Sequence, residues 1–262
     1  MELIKITDEV KTVISTSSKG DQAKWLVGEY WVKENTHGYE NIAEYIASLL
    51  LESSSLPNTS YVTYAPCLIQ KPNGTIKDGC YSKDFRGKFQ EVTLERLFET
   101  NFETTTDILN NNRQSTKQKF QMIMEKIYMF TGLDVSLRIS KMLGLDALIL
   151  NEDRHTNNIL FLYNSKADEW ELAPIFDNGL SLLSDTTDYP LHTPINVLKR
   201  RVKAKPFSTS FPNQLELYNG KPFVDRKKFL NKLDASPYKL GRAKDVILSQ
   251  LEDSSTQHLF FN

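Results

Sequence analysis

Short alternating runs of apolar and polar residues fill the first part of the chain and then give way to a helical period. Glu2–Ile6, Val10–Thr16, Trp25–Val27 and Tyr30–Lys33 are rich in Val, Ile, Thr and aromatic residues and predict strands. In GYENIAEYIASLLLESS, Ile42, Tyr45, Ile46, Leu49 and Leu50 recur at helical spacing with Asn41, Glu44 and Ser48 between them. Tyr61–Gln70 returns to strand composition, and Pro66 within it implies a sheet edge or a break, which suits a connection between lobes. LIQKPNGTIKDGCYS reads as a hairpin turning at Asn73–Gly74. From Leu94 onward the pattern is mostly helical, with helices predicted over Leu94–Glu99, Lys117–Thr131 and Val135–Leu148, and Gly132 and Asp134 as C-cap and N-cap signals. Asn151–Gly179 holds two short apolar runs, Ile159–Tyr163 and Trp170–Pro174, joined by the polar Asn164–Glu169: a loop, a β-hairpin and a second loop. Asp185–Pro194 reads as loop, and Ser236-Pro237 is expected to start a last helix through Leu251.

The change from strand-rich to helix-rich composition near residue 66 predicts an α+β fold divided there into 1–66 and 67–262, as one domain with two lobes or as two small domains. A chain of 262 residues can bury a sizeable core, and 40% hydrophobic with 25% charged residues is an ordinary globular composition. The net charge of -1 gives no general argument for nucleic acid or an acidic membrane, and there is no recognisable helix-turn-helix pair, so direct DNA binding is not expected. Cys67 and Cys80 are too far apart for a CxxC pair and read as reduced core thiols. No apolar run approaches the roughly 18 residues that span a bilayer. The N-terminal MELIKITDEVK lacks the apolar core of a signal peptide, which makes the cytoplasm the expected compartment.

Candidate chemistry gathers at the ends of the predicted hairpin. A hairpin brings its ends together, so Asp153, Asn158 and Asp177 are expected to converge as an oxygen-rich site for a hard cation such as Mg²⁺. Upstream, STSSKGDQ is a small, polar turn whose amides could face an anion, or else a plain hairpin turn. Lys33 closes a strand, and Glu40 and Glu44 share a helix face, so an ion pair of Lys33 with one of them is reasonable; otherwise all three are solvated charges. Together these are the parts that phosphoryl transfer from ATP requires: a lysine for the phosphates, an acid to position it, an Asp and an Asn for the metal, and a second Asp for the hydroxyl proton. The basic run Lys199–Lys205 is either a solvated face or a docking patch for an acidic substrate or a phosphate.

NEDRHTNN followed by IFDNG resembles the catalytic loop and metal loop of the HipA-like kinases, which share the Asp-Arg-His order with phosphatidylinositol kinases. The similarity covers roughly Ser15 to Gly179. It implies a bilobal protein-kinase-like fold, with a strand-rich N-lobe and a mostly helical C-lobe. It implies an ATP- and Mg²⁺-dependent serine/threonine kinase acting on the hydroxyl of a protein substrate. Asp153 would be the catalytic Asp, Asn158 and Asp177 the Mg²⁺ ligands, Lys33 the ATP-binding lysine and Glu44 its helix partner. Ser17, Ser18, Lys19 and Gly20 would form the phosphate loop, with Ser17 and Ser18 as candidates for autophosphorylation. Tyr64, Ala65, Cys67 and Leu68 would lie in the hinge beside adenine.

The chain also departs from related patterns. Ordinary protein kinases place His-Arg before the catalytic Asp, whereas Arg154 and His155 follow it, and the phosphate loop lacks the three-glycine pattern. The chain is expected to resemble the shorter, stand-alone members of the family, without the N-terminal subdomain of the HipA toxin and without its antitoxin partnering or promoter binding. His155 is expected to be a structural hydrogen-bonding group or a proton relay. Arg154 is expected either to orient the metal loop or to pair with a surface acid. A lipid or small-molecule kinase, and an ATP-binding pseudokinase, are the alternatives to the protein kinase.

Overall fold

The computed structural model describes residues 1–7, 10, 12–17, 20–102 and 104–261, with residues 12–17, 20 and 21 described by backbone alone. Strands β1 (Glu2–Lys5), β2 (Thr12–Ser17), β3 (Gly20–Val27) and β4 (Tyr30–Glu34) precede helix α1 (Glu40–Glu52), and β5 (Ala65–Gln70) and β6 (Ile76–Lys83) follow it. They form one six-stranded sheet in the order β1-β5-β6-β4-β3-β2. Neighbouring strands run antiparallel except β1 and β5, which are parallel. The polar stretch STSSKGDQ is more strand than loop, because the β2–β3 ladder continues to the pair Ser17–Gly20. The expected phosphate-loop residues Ser18 and Lys19 lie outside the described residues.

Pro66 does not interrupt the sheet. It sits opposite Cys80 on β6, and the register with β1 begins only at Cys67, so on that side β5 is locally an edge, where proline is tolerated. The sheet runs on to Lys83, and residue 66, where the composition changes, lies inside β5. The chain leaves the sheet through residues 84–89, anchored where the Trp31 indole N–H donates to Asp84 Oδ1 at 3.0 Å.

The remainder begins with β7 (Gln90–Thr93), α2 (Leu94–Asn101), α3 (Thr105–Leu109), α4 (Thr116–Thr131) and α5 (Ser136–Ile149). The hairpin β8 (Leu160–Asn164) and β9 (Glu169–Leu172) comes next and, with β7, makes a three-stranded antiparallel sheet. Then come α6 (Ile195–Lys199), α7 (Phe211–Leu215), β10 (Val224–Asp225), α8 (Arg226–Asp234), α9 (Gly241–Leu251) and β11 (Phe260–Phe261). Ser115 and Gln118 close a capping box on α4, and Gly132 ends it at φ 73°, a conformation glycine adopts without strain. Asp134 acts one residue from the expected place: its carboxylate accepts the Ser136 N–H at 3.1 Å, while Val135 is the N-cap of α5. The last helix starts at Gly241 rather than Ser236, because the Ser236 hydroxyl accepts the Tyr238 N–H at 3.2 Å in a local turn that competes with helix initiation.

Among the apolar cores of the described residues, two hold the sheet and the helices. A small one inside the sheet contains Ile6, Trp25, Val32, Cys67 and Ile69. The large one joins α1 to the helical lobe: Ile46 and Leu50 are buried with Phe98, Ile127, Leu143 and Ile247. Each such side chain contributes roughly 1.5–3 kcal/mol by leaving water. Helix α1 is therefore welded to the helical lobe although it sits between strands in sequence. Gly79 keeps β6 close behind Lys33, since a Cβ there would collide with the Lys33 carbonyl and the Ile69 side chain.

Candidate active site

Strand alternation on β4 sends Val32 into the sheet core and Lys33 to the opposite face, toward α1. The Lys33 ammonium lies 2.8 Å from Glu44 Oε1 and 2.7 Å from Asp177 Oδ1, and 4.8 Å from the centre of the Tyr64 ring. Glu44 is thus the glutamate that pairs with Lys33. Glu40 instead accepts the N–H groups of Thr36, His37 and Gly38 at 2.9, 2.5 and 2.8 Å, where it closes the loop entering α1. The second oxygen of Glu44 accepts the Asn178 N–H at 3.0 Å. One carboxylate therefore holds both the lysine and the backbone just after Asp177.

Lys24, directly across from Lys33 in the β3–β4 ladder, brings a second ammonium to 3.4 Å from Asp177 Oδ2. Burial alone would raise the pKa of Asp177, but Lys24 and Lys33 outweigh it and hold the carboxyl well below the usual range. Burial opposes the charge on Lys33, yet Asp177 and Glu44 overcome it and keep the ammonium well above its ordinary value. On Lys24 burial prevails over the pull of Asp177, and the pKa is lowered. Asp177 has φ 57°, a left-handed conformation uncommon for a residue with a side chain and concentrated at functional sites.

Below this cluster, α5 ends with Leu150 at φ 54° and the chain turns into the Asp153 loop. Asn158 closes that loop, its amide nitrogen donating to the Asp153 carbonyl at 2.8 Å. Arg154 is fully buried. It donates to both oxygens of the equally buried Asp146 at 3.0 and 3.1 Å, to the carbonyls of Asn158 and Phe176 at 3.2 and 2.9 Å, and to Asn178 Oδ1 at 2.7 Å. Arg154 thus does not serve a surface acid but orients the turn expected to hold the metal: one guanidinium ties the end of α5, the Asp153–Asn158 loop and the Phe176–Asn178 turn together. Asp153 is buried, with Lys205 Nζ 3.5 Å from one oxygen and His155 Nε2 3.7 Å from the other. Burial lowers the His155 pKa, which favours the neutral ring. Lys24, Asp153 and Asp177 line one cavity together with Gln22, Gly179 and Leu180.

The structure thus gathers Lys33, Glu44, Asp153, Asn158 and Asp177 in one region. Ser17 and Gly20 end the β2–β3 ladder. The expected hinge residues lie elsewhere than the connection between the sheets. Ala65, Cys67 and Leu68 belong to β5, and Cys67 is fully buried in the sheet core, because the apolar run holding Pro66 is an interior strand. Tyr64 does approach the site: its hydroxyl oxygen accepts the Asp177 N–H at 3.4 Å, and its own N–H donates to Ser48 Oγ at 2.8 Å. Neither Lys24 nor Lys205 was expected among the site residues, and Asp146 was not expected to pair with Arg154. For Lys24 the signal was its parity with Lys33 across a hairpin of known turn position.

Among the described residues, no group of three or more His, Cys, Asp or Glu side chains is gathered to hold a metal. The expected pair, Asp177 and Asn158, does offer oxygen donors of the kind Mg²⁺ takes. Asp177 is held anionic with two ammonium groups already balancing its charge, and Asn158 has its amide nitrogen committed, which leaves the oxygen to meet a cation. Mg²⁺ characteristically takes one or two protein oxygens and completes its shell with phosphate and water.

A sheet with a lysine paired to the glutamate of its one intervening helix, set on a helical lobe that carries the facing acidic loops, defines a bilobal protein-kinase-like fold. Among solved structures, the chain is similar to the crystal structure of a Helicobacter pylori proinflammatory kinase CtkA, at 19% identity and a TM-score of 0.61, covering 98% of this chain and 95% of that one. It also aligns with the Shewanella oneidensis HipA toxin, solved with HipB and operator DNA, at 11% identity and a TM-score of 0.44, over 97% of this chain and 63% of that one. At these identities the likeness is one of fold. No protein-family model matches the sequence, and no curated protein matches it. Among the described residues, no helix is long and apolar enough to cross a membrane.

Proposed function

We propose that the protein is an ATP- and Mg²⁺-dependent phosphotransferase that phosphorylates serine or threonine hydroxyls of a protein substrate. The observation that carries this reading is Lys33 bridging Glu44 and Asp177, at 2.8 and 2.7 Å, beside the buried Asp153. In the proposed assignment, Lys33 binds ATP phosphates and Glu44 fixes its position. Asp177 and Asn158 hold the Mg²⁺, which when bound supplies positive charge to the phosphate oxygens. Asp153 accepts the proton of the attacking hydroxyl. The protein's own contribution is placement: Arg154 and Glu44 lock the Asp153 loop and the Asp177 turn to the helix that also positions Lys33. Preorganised charges of this kind act without rearranging during the reaction, and removing one costs about 10²–10³ in rate.

The experiment is incubation of the full chain with γ-labelled ATP and Mg²⁺, with a generic protein acceptor in one arm and phosphoinositide vesicles in another. Label on the protein acceptor is expected. Label on the vesicles alone moves the assignment to a lipid kinase, and tight ATP binding without turnover on either acceptor moves it to a pseudokinase.

A further inference from the structure

The basic run Lys199–Lys205 is not uniform. Arg200, Arg201 and Lys203 are exposed, and Lys199 donates to Ser249 Oγ at 3.1 Å and lies 3.8 Å from Asp253. Lys205 alone of the run is placed at the site just described, with its ammonium 3.5 Å from Asp153 Oδ1. The segment that delivers it is anchored on both sides. Val202, Ala204 and Phe207 are buried, the Ala204 N–H donates to the Thr209 carbonyl at 3.1 Å, and the Phe207 N–H donates to Gln214 Oε1 at 3.0 Å. The Phe207 ring meets Phe120 edge-on at 5.1 Å. These anchors hold the backbone, so the lysine reaches Asp153 from a fixed base.

We infer that Lys205 is a catalytic residue whose ammonium contacts the phosphoryl group as it moves to the hydroxyl held by Asp153. The inference rests on the phosphotransferase reading. Arg154, the cation next to Asp153 in sequence, is fully buried on Asp146, Asn178 and two carbonyls, which commits it to holding the loop. In the transfer step the acceptor oxygen forms a bond to the γ-phosphorus and the bond from phosphorus to the bridging oxygen breaks. ADP leaves with that electron pair, and the hydroxyl proton passes to Asp153. Lys205 keeps its protons throughout and donates hydrogen bonds to the non-bridging oxygens, where the charge of a loose transition state is spread. Its position beside Asp153 puts this cation on the acceptor side of the phosphorus.

The test compares wild type with Lys205→Met and Lys205→Arg in two measurements on the full chain: calorimetric dissociation constants for ATP and ADP with Mg²⁺, and initial rates of transfer to a generic protein acceptor. For Lys205→Met we expect kcat to fall about 10²–10³-fold, as for loss of one preorganised donor. ATP affinity should fall toward that of ADP while ADP binding and thermal midpoint stay as in wild type, and Lys205→Arg should recover much of both losses. A Met variant that keeps wild-type kcat and the wild-type preference for ATP over ADP overturns the inference. So does one that is faster than wild type, which would make the ammonium a restraint on Asp153. Wild type that binds neither nucleotide overturns the phosphotransferase reading itself. Wild type that binds ATP without turnover on any acceptor likewise overturns the phosphotransferase reading, and with it the catalytic role of Lys205.

Discussion

Replacing Arg154 by Met strands a charge that the folded protein cannot hydrate. Asp146 and Arg154 are both fully buried and joined by two hydrogen bonds, so removing the guanidinium leaves a carboxylate supported only by the Asn151 amide at 2.8 Å. Breaking a buried pair from one side costs roughly 3–5 kcal/mol. The carbonyls of Asn158 and Phe176 also lose their guanidinium donor, at about 1–3 kcal/mol for each that water does not reach. Burial already pushes the Asp146 carboxyl above its ordinary range, so proton uptake limits the loss. The expected deficit is therefore about 4 kcal/mol at neutral pH, a large share of the 5–15 kcal/mol typical of a folded domain. The sign with pH follows: a carboxyl whose folded pKa is raised binds its proton more readily folded than unfolded, so the deficit of the variant shrinks as pH falls toward about 5. Adding Asp146→Leu removes the stranded charge and should restore at least about 2 kcal/mol, a coupling of the size seen within contacting networks. Urea unfolding followed by the fluorescence of the three tryptophans measures wild type and both variants. A single variant that loses under about 1 kcal/mol, or a double variant no more stable than Arg154→Met, would refute the reasoning.

Other predictions follow from the same cluster. Glu44→Gln releases Lys33 and weakens the acceptor of the Asn178 N–H, and should lower kcat/KM for ATP by about 10²-fold while the large core keeps the chain folded. Asp177 has a depressed folded pKa, so its ion pairs contribute stability above about pH 4 that is lost as pH falls through lower values. Asp177→Asn should accordingly be less stable than wild type at neutral pH and converge with it in strong acid, read from unfolding midpoints across pH. Burial pushes the Cys67 thiol up to about 12 and Cys80 well above its ordinary value, so neither should react with a thiol reagent at about pH 8 until denaturant is added. Rapid native labelling of either would contradict the packing described for β5 and β6.

The period of the apolar positions carried much of the fold. The first strands, α1 and the β8–β9 hairpin appear where alternation or helical spacing placed them, and Lys33 meets Glu44 because the strand and helix faces were correctly phased. What local pattern could not show was the assignment of neighbours. Pro66 implied an edge or a break, and β5 is indeed locally an edge there because the β1 register has not yet begun, while the chain passes from the first sheet to the second through residues 84–89. Asp146 lies in the predicted helix Val135–Leu148 with no partner visible in the local pattern, and the return of Arg154 from beyond the helix explains a buried carboxylate there. Lys205 lies more than fifty residues from Asp153 in a run whose other members are mostly solvated, so proximity had to come from the tertiary fold.

In the proposed site Asp153 and Asp177 divide the work, one taking the hydroxyl proton and the other holding the metal. Transfer of γ-label from ATP to a protein acceptor, measured for wild type, Asp153→Ala and Asp177→Ala with Mg²⁺-ATP affinity determined on the same samples, tests it most directly. Transfer by wild type is expected, with a loss of at least about 10²-fold in both variants, Asp153→Ala still binding Mg²⁺-ATP and Asp177→Ala binding it poorly. Folded variants that transfer label at the wild-type rate would contradict it.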